Sequence, residues 1–241
     1  MLEAGLWGFG AAMALVGGAL VGLTGRVPRS WVALVMAFGA GALISALAYD
    51  LTEDAFAHGG TLPVAAGLAA GALVYFAGDQ LLHKEGAVRL GARVKQTGTN
   101  GPAIVLGALL DGIPESVVLG TTLLAGAGVS LPFLAAVFVS NVPEGLSAAA
   151  DLLKEGRRPA GIIGLWVAVA VVSGVAAALG YGVLGKMGSG AVPLIQSFAA
   201  GAILTMLTDT MIPEAYSGGG DWTGLATVLG FATAFLLSTV S

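Results

Sequence analysis

The sequence predicts an all-α polytopic membrane protein, eight transmembrane helices in a 3+2+3 inverted-repeat arrangement, from three observations. Apolar residues make up 56% of the 241 and charged residues only 10%, with a mean hydropathy of +0.91; such a composition belongs in lipid. Eight mainly apolar stretches are each long enough to cross a bilayer, at about 5–24, 31–53, 61–82, 101–124, 131–153, 160–184, 191–214 and 222–240. Part of the second stretch returns in the seventh at an offset of 160 residues, Phe38-Gly-Ala-Gly-Ala-Leu-Ile-Ser45 against Phe198-Ala-Ala-Gly-Ala-Ile-Leu-Thr205. The whole of 1–241 reads as a single transmembrane domain.

The first stretch has no basic segment before it and no small-residue cleavage site followed by polar sequence, so it is expected to be a retained span. All eight spans are expected to be helical, because a backbone facing lipid must satisfy its own hydrogen bonds. Basic residues set their direction. Arg26 and Arg29 lie between spans 1 and 2, Lys84, Arg89, Arg93 and Lys95 between 3 and 4, and Lys154, Arg157 and Arg158 between 5 and 6. Nine of the ten Lys and Arg therefore share one side, and only Lys186 falls on the other. Those loops are expected to be cytoplasmic and both termini extracytoplasmic, as in an inner (plasma) membrane protein of a bacterium or archaeon. The longest loop, about 83–100, reads as a charged linker that fixes topology, with both histidines, His58 and His83, in loops. Small residues from Gly67 to Gly78 would allow close helix packing or a homodimer, with membrane lipids around the rest.

The repeat extends past its apolar part, with Asp54-Ala-Phe56 opposite Glu214-Ala-Tyr216 and Gly59-Gly60 opposite Gly219-Gly220. Span 2 runs outward and span 7 inward, so the copies are inverted, and spans 1–3 mirror 6–8 around a central pair. Asp50, Glu53 and Asp54 then end span 2 at the outer face, whereas Asp209 and Glu214 end span 7 at the inner face. Each group reads either as an ordinary charged helix end or as one mouth of a cation route.

The central pair carries two related motifs, Asp111-Gly-Ile-Pro-Glu115-Ser and Ser140-Asn141-Val-Pro-Glu144-Gly. On a helix Asp111 and Glu115 are i,i+4, as are Ser140 and Glu144, so each pair projects from one face. Pro114 and Pro143 are expected to free the carbonyls of Leu110 and Val139 and to bend both helices beside the carboxylates. An acid at the centre of a membrane helix costs about 2.5 to 3.5 kcal/mol on insertion scales. No Lys or Arg lies between Lys95 and Lys154 to compensate. A bound cation or protons are the remaining counter-charges, the bland alternative being carboxyls hydrogen-bonded between packed helices.

Other classes are excluded on composition and motif. Ten Lys and Arg against fourteen Asp and Glu leave no basic patch for nucleic acid. With no cysteine there are no disulfides, thiolate metal sites or Cys nucleophiles. The absence of a Ser-His or His-Glu-x-x-His constellation argues against an enzyme.

With these motifs in helices 4 and 5, the chain resembles the ZIP (Zrt/Irt-like) family of divalent metal transporters, whose helices 4 and 5 carry His-Asn-x-Pro-Glu-Gly and a related x-x-x-Pro-Glu-Gly. The eight spans, outward termini, long loop after span 3 and the sequence Asp209-Thr-Met-Ile-Pro-Glu214-Ala are similar too. The resemblance implies a carrier or slow channel moving Zn²⁺, Mn²⁺ or Fe²⁺ inward, the metal being substrate and no prosthetic group being present. It implies that Asp111, Glu115 and Glu144 line the primary metal site, with Ser140 at the place of a further ligand, Asn141 and the shared glutamates in a second position and Asp209 on the inner route. The departures are that Asp111 and Ser140 stand where relatives have histidine or another polar ligand, and Gly112 stands where they have asparagine. Span 6 lacks a carboxylate, which weakens a second metal position. An all-oxygen centre favours harder ions such as Mn²⁺ and Fe²⁺ over dedicated zinc selectivity. The other function class the residues allow is a non-transporting metal sensor or structural protein of the same fold.

Overall fold

The computed structural model describes residues 1–84, 101–125, 128–187 and 190–240, and among them it is helical with no strand. The eight helices are α1 (Leu2–Gly22), α2 (Arg29–Gly59), α3 (Thr61–Lys84), α4 (Gly101–Thr122), α5 (Leu131–Lys154), α6 (Pro159–Leu184), α7 (Ala191–Gly219) and α8 (Trp222–Ser238). Six of them, α1, α2, α3, α5, α6 and α7, are long and apolar enough to cross a membrane, and α8 is apolar but 17 residues long.

Helix ends agree with the predicted stretches to within a few residues except in α2 and α7, which run on to Gly59 and Gly219. The apolar count stops at Glu53 and Glu214, yet a polar last turn is still a good helix when its acids find partners. Both helices end at a glycine with positive φ, Gly60 at 74° and Gly220 at 56°, the backbone that glycine adopts without penalty. Each also contains a π-helical turn, Leu47–Thr52 in α2 and Leu207–Met211 in α7, and the two begin 160 residues apart. By contrast, Pro114 and Pro143 sit inside continuous α-helices. The π-helical turns thus fall in α2 and α7 and not at the prolines.

Two further corrections concern the histidines. His58 lies in the last turn of α2 and His83 in the last turn of α3, where neither is a loop residue. The rest of the proposed linker, with Arg89, Arg93 and Lys95, lies outside the described residues.

Close backbone approach holds the bundle together. A Cβ on Gly41 of α2 would collide with the carbonyl of Thr227 in α8, and one on Gly201 of α7 with that of Leu68 in α3. Gly230 of α8 meets the Phe38 carbonyl of α2 in the same way, and Gly71 of α3 meets that of Phe198 in α7. Phe38 and Phe198 are again 160 apart, so α2 packs on α8 as α7 packs on α3. Lipid offers no hydrophobic drive between helices, and small residues gain van der Waals contact through such approach. Leu43, Leu51, Phe133, Ile203 and Leu207 fill the centre, while Trp166, Ile162 and Leu15 fill a second cluster among α1, α5 and α6. Leu73, Val74 and Phe76 on α3 and Val228 and Leu229 on α8 are exposed, as lipid-facing side chains would be.

Candidate cation site

The two motif helices bring their acids together. Glu115 of α4 is 4% exposed, and Glu144 of α5 is within Coulombic range of Asp111, Glu115 and Glu214. Continuity of α4 through Pro114 keeps Asp111 and Glu115 one turn apart on one face. Ser116 donates 2.7 Å to the carbonyl of Gly112 beside that proline. Among the described residues, no three His, Asp or Glu side chains are gathered closely enough to grip one ion. The acids lie within Coulombic range of one another without forming a closed coordination shell.

The partners of each predicted residue differ in kind. Asp111 accepts a 2.7 Å hydrogen bond from the hydroxyl of Tyr75 in α3. Ser140 is buried where α2 comes closest, since a Cβ on Gly39 would stand 2.8 Å from its Cα, and its hydroxyl donates 2.9 Å to its own helix at Val137. Asn141 turns its amide toward α1, donating 3.4 Å to the carbonyl of Ala11. In this arrangement Ser140 and Asn141 serve helix contacts, while the carboxylates border the interior.

The acids of α2 and α7 occupy opposite ends of the bundle. At one end Asp50 accepts 2.9 Å from the hydroxyl of Ser130, which also caps α5 by accepting from the amide of Phe133 at 3.2 Å. An anion beside a helix N-terminus is in a favourable field. Asp54 accepts 3.2 Å from the amide of Gln196 in α7, and Glu53 is exposed. At the other end Glu214 accepts 2.9 Å from Ser147 of α5. It lines a cavity of about 760 Å³ with Arg29, Ser147, Asp151, Lys154 and Ser217. Arg29 and Lys154 both pair with Asp151, at 3.6 and 2.7 Å, so one basic residue from each of two loops predicted to be cytoplasmic stands at this end. Asp209 is half-buried in the π-helical turn of α7.

Three features escaped the reading of the sequence. Tyr75 and Asp79 lie one turn apart on α3 and are 3% and 5% exposed, Tyr75 touching the centre through Asp111. Asp79 is an acid inside an apolar span, which was the available signal. Gln196, 4% exposed, has a side-chain oxygen with no hydrogen-bond partner, as does the buried hydroxyl of Ser45. An unpaired buried polar atom costs about 1 to 3 kcal/mol.

Comparison with protein-family models and with curated proteins finds no match for this chain.

Proposed function

We propose that the chain is a divalent metal cation transporter of the Zn, Fe or Mn type, in which the ion crosses between α4 and α5 at Asp111, Glu115 and Glu144. The observation that carries this reading is that Glu144 lies within Coulombic range of Asp111 and Glu115 inside the bundle, with no Lys or Arg on either helix between Lys95 and Lys154. Buried like charges with no basic partner need a mobile counter-charge, and a dication with exchangeable ligands supplies it. In this reading α1–α3 and α6–α8 are inverted repeats around the central pair, supported by the paired π-helical turns, paired glycine stops and matching helix contacts. Ions enter past Asp50, Glu53 and Asp54 and leave past Asp209 and Glu214 into the cavity beside Arg29, which faces the cytoplasm. The resemblance to the ZIP family points the same way.

One observation favours a second reading, a non-transporting metal sensor or structural protein of this fold. Asp111 is already engaged by Tyr75, as it would be in a hydrogen-bonded packing site. Uptake of Mn²⁺, Fe²⁺ and Zn²⁺ into proteoliposomes separates the two. The transporter accumulates the ion, and Glu115→Gln and Glu144→Gln each abolish accumulation while the protein stays folded. Wild-type accumulation in either variant would remove the shared site. External acidification slows uptake, because protons compete with the metal for carboxylate oxygens.

A further inference from the structure

At the end of the bundle opposite Arg29, α2 finishes against the start of α7, and a Cβ on Gly59 would stand 2.6 Å from the side chain of Pro193. Asp54 and His58 are i,i+4 on the last turns of α2, with His58 Nδ1 3.2 Å from Asp54 Oδ1 and 2.9 Å from the Asp54 carbonyl. Across the contact, Gln196 of α7 donates from Nε2 to the other carboxylate oxygen, Oδ2, at 3.2 Å. Gln196 is 4% exposed, and its Oε1, on the same amide group, has no partner.

We propose that Asp54, His58 and Gln196 form a binding site for a divalent transition-metal ion. Metal–ligand bonds of about 2.0 to 2.2 Å at angles near 100° hold neighbouring ligand atoms roughly 3 Å apart. The two spacings around Asp54 already match that edge, so an ion can take the place of the bridging protons with little movement of either helix. A neutral imidazole carrying its proton on Nε2 offers the Nδ1 lone pair. A half-turn of the Gln196 amide about its last carbon–carbon bond exchanges its two ends. Without an ion, that turn would set an oxygen against a carboxylate oxygen; with an ion between them it supplies a third ligand and gives Oε1 a partner. The donor set is one nitrogen and two kinds of oxygen, which suits Zn²⁺, Cu²⁺ or Co²⁺ better than Mg²⁺ or Ca²⁺. Side-chain exposures of 69% for His58 and 39% for Asp54 leave it open to the aqueous face. The site stands on its own; its use as the station where ions are collected before the central carboxylates rests on the transport reading above.

The test uses the full-length protein in detergent, with Cu²⁺ as a spectroscopic probe and Zn²⁺ for affinity. Bound copper should show nitrogen hyperfine splitting that disappears in His58→Ala, with Zn²⁺ affinity falling at least tenfold. Gln196→Leu should weaken Zn²⁺ binding similarly, and Gln196→Glu should tighten it, a gain that a merely structural glutamine would not give. Glu144→Gln should leave the nitrogen splitting intact, because the central carboxylates offer oxygen alone. His58 is exposed at a helix end, so its removal leaves the fold in place, and Gln196→Glu covers the case in which Gln196→Leu does not fold. Unchanged splitting and affinity in His58→Ala would overturn the proposal, as would wild-type affinity in Gln196→Glu. Proteoliposome uptake run in parallel keeps the two ideas apart. Copper signals lost in His58→Ala without uptake by the wild type would support the site and sink transport. Uptake by the wild type with unaltered metal binding in His58→Ala would do the reverse.

Discussion

The far ends of α2 and α7 are built alike and furnished differently. Each has a π-helical turn, then an acid, then a glycine stop, at positions 160 residues apart. Around Asp54 stand an imidazole and a buried amide. Around Glu214 stand the hydroxyl of Ser147 and a cavity shared with Arg29, Asp151 and Lys154, and the residue equivalent to His58 is Gly218. Similar backbones thus carry different side chains, with His58 facing Asp54 at one end and glycine in its place at the other. In the transport reading proposed above, a cation entering past Asp54 would meet an imidazole before the central carboxylates.

That comparison fails if the two halves are not mechanically equivalent, and glycine substitutions test it with the largest effect. Gly41→Leu and Gly201→Leu each drive a side chain into the carbonyl of a neighbouring helix. Overpacking costs about 1 to 3 kcal/mol or more, and here backbone is the obstacle, so both variants should lose most folded protein in detergent, measured by size-exclusion yield. A large loss for one and none for the other would mean the contacts are not alike. A middle-sized effect sharpens the division of chemistry. Asp111→His puts nitrogen at the centre, and competition between Zn²⁺ and Mn²⁺ in uptake should move toward zinc about tenfold, equal to about 1.4 kcal/mol of differential binding. An unchanged ratio would mean that residue 111 does not meet the ion. The smallest effect on folding comes from the helix stops, where an added Cβ meets no neighbouring atom. Gly60→Ala and Gly220→Ala should each cost about 1 to 3 kcal/mol, because both backbones, at φ 74° and ψ −176° and at φ 56° and ψ −137°, are ones that residues with a Cβ rarely adopt, read as similar falls in melting temperature.

The sequence made the helices legible because a lipid-facing chain has few ways to satisfy its backbone, and the apolar stretches therefore locate α1 through α8. The 160-residue repeat was legible too, since Phe38, Gly41 and their counterparts occupy packing contacts that constrain residue size. The π-helical turns were not. Leu47–Thr52 and Leu207–Met211 have ordinary helix-forming residues, and only tertiary packing decides that one more residue enters the turn. Pro114 and Pro143 are the visible helix breakers in the sequence, and their helices continue without a break. At the centre, Asp111, Glu115 and Glu144 stood out because charge in an apolar span is costly. The engagement of Ser140 by Val137 and of Asn141 by Ala11 was hidden, because a small polar residue reads the same whether it faces an ion or a neighbouring backbone. Tyr75 was hidden for the converse reason: its ring belongs in any membrane helix, and only the fold reveals that its hydroxyl reaches Asp111.

The paired π-helical turns also govern how this chain can change. Such a turn holds an extra residue relative to the α-helix around it, and one residue corresponds to about 100° of rotation. The wide turn absorbs that residue, so loss of one residue within Leu47–Thr52 would leave an ordinary helix that still presents Asp54 and His58 toward Gln196. The same loss in Leu207–Met211 would leave Glu214 facing Ser147. A deletion in the α-helical stretch between the glycine contacts and the π-helical turn would instead swing these acids about 100° around the axis. The two turns are therefore places where the chain can gain or lose a residue while both acidic ends keep their facing.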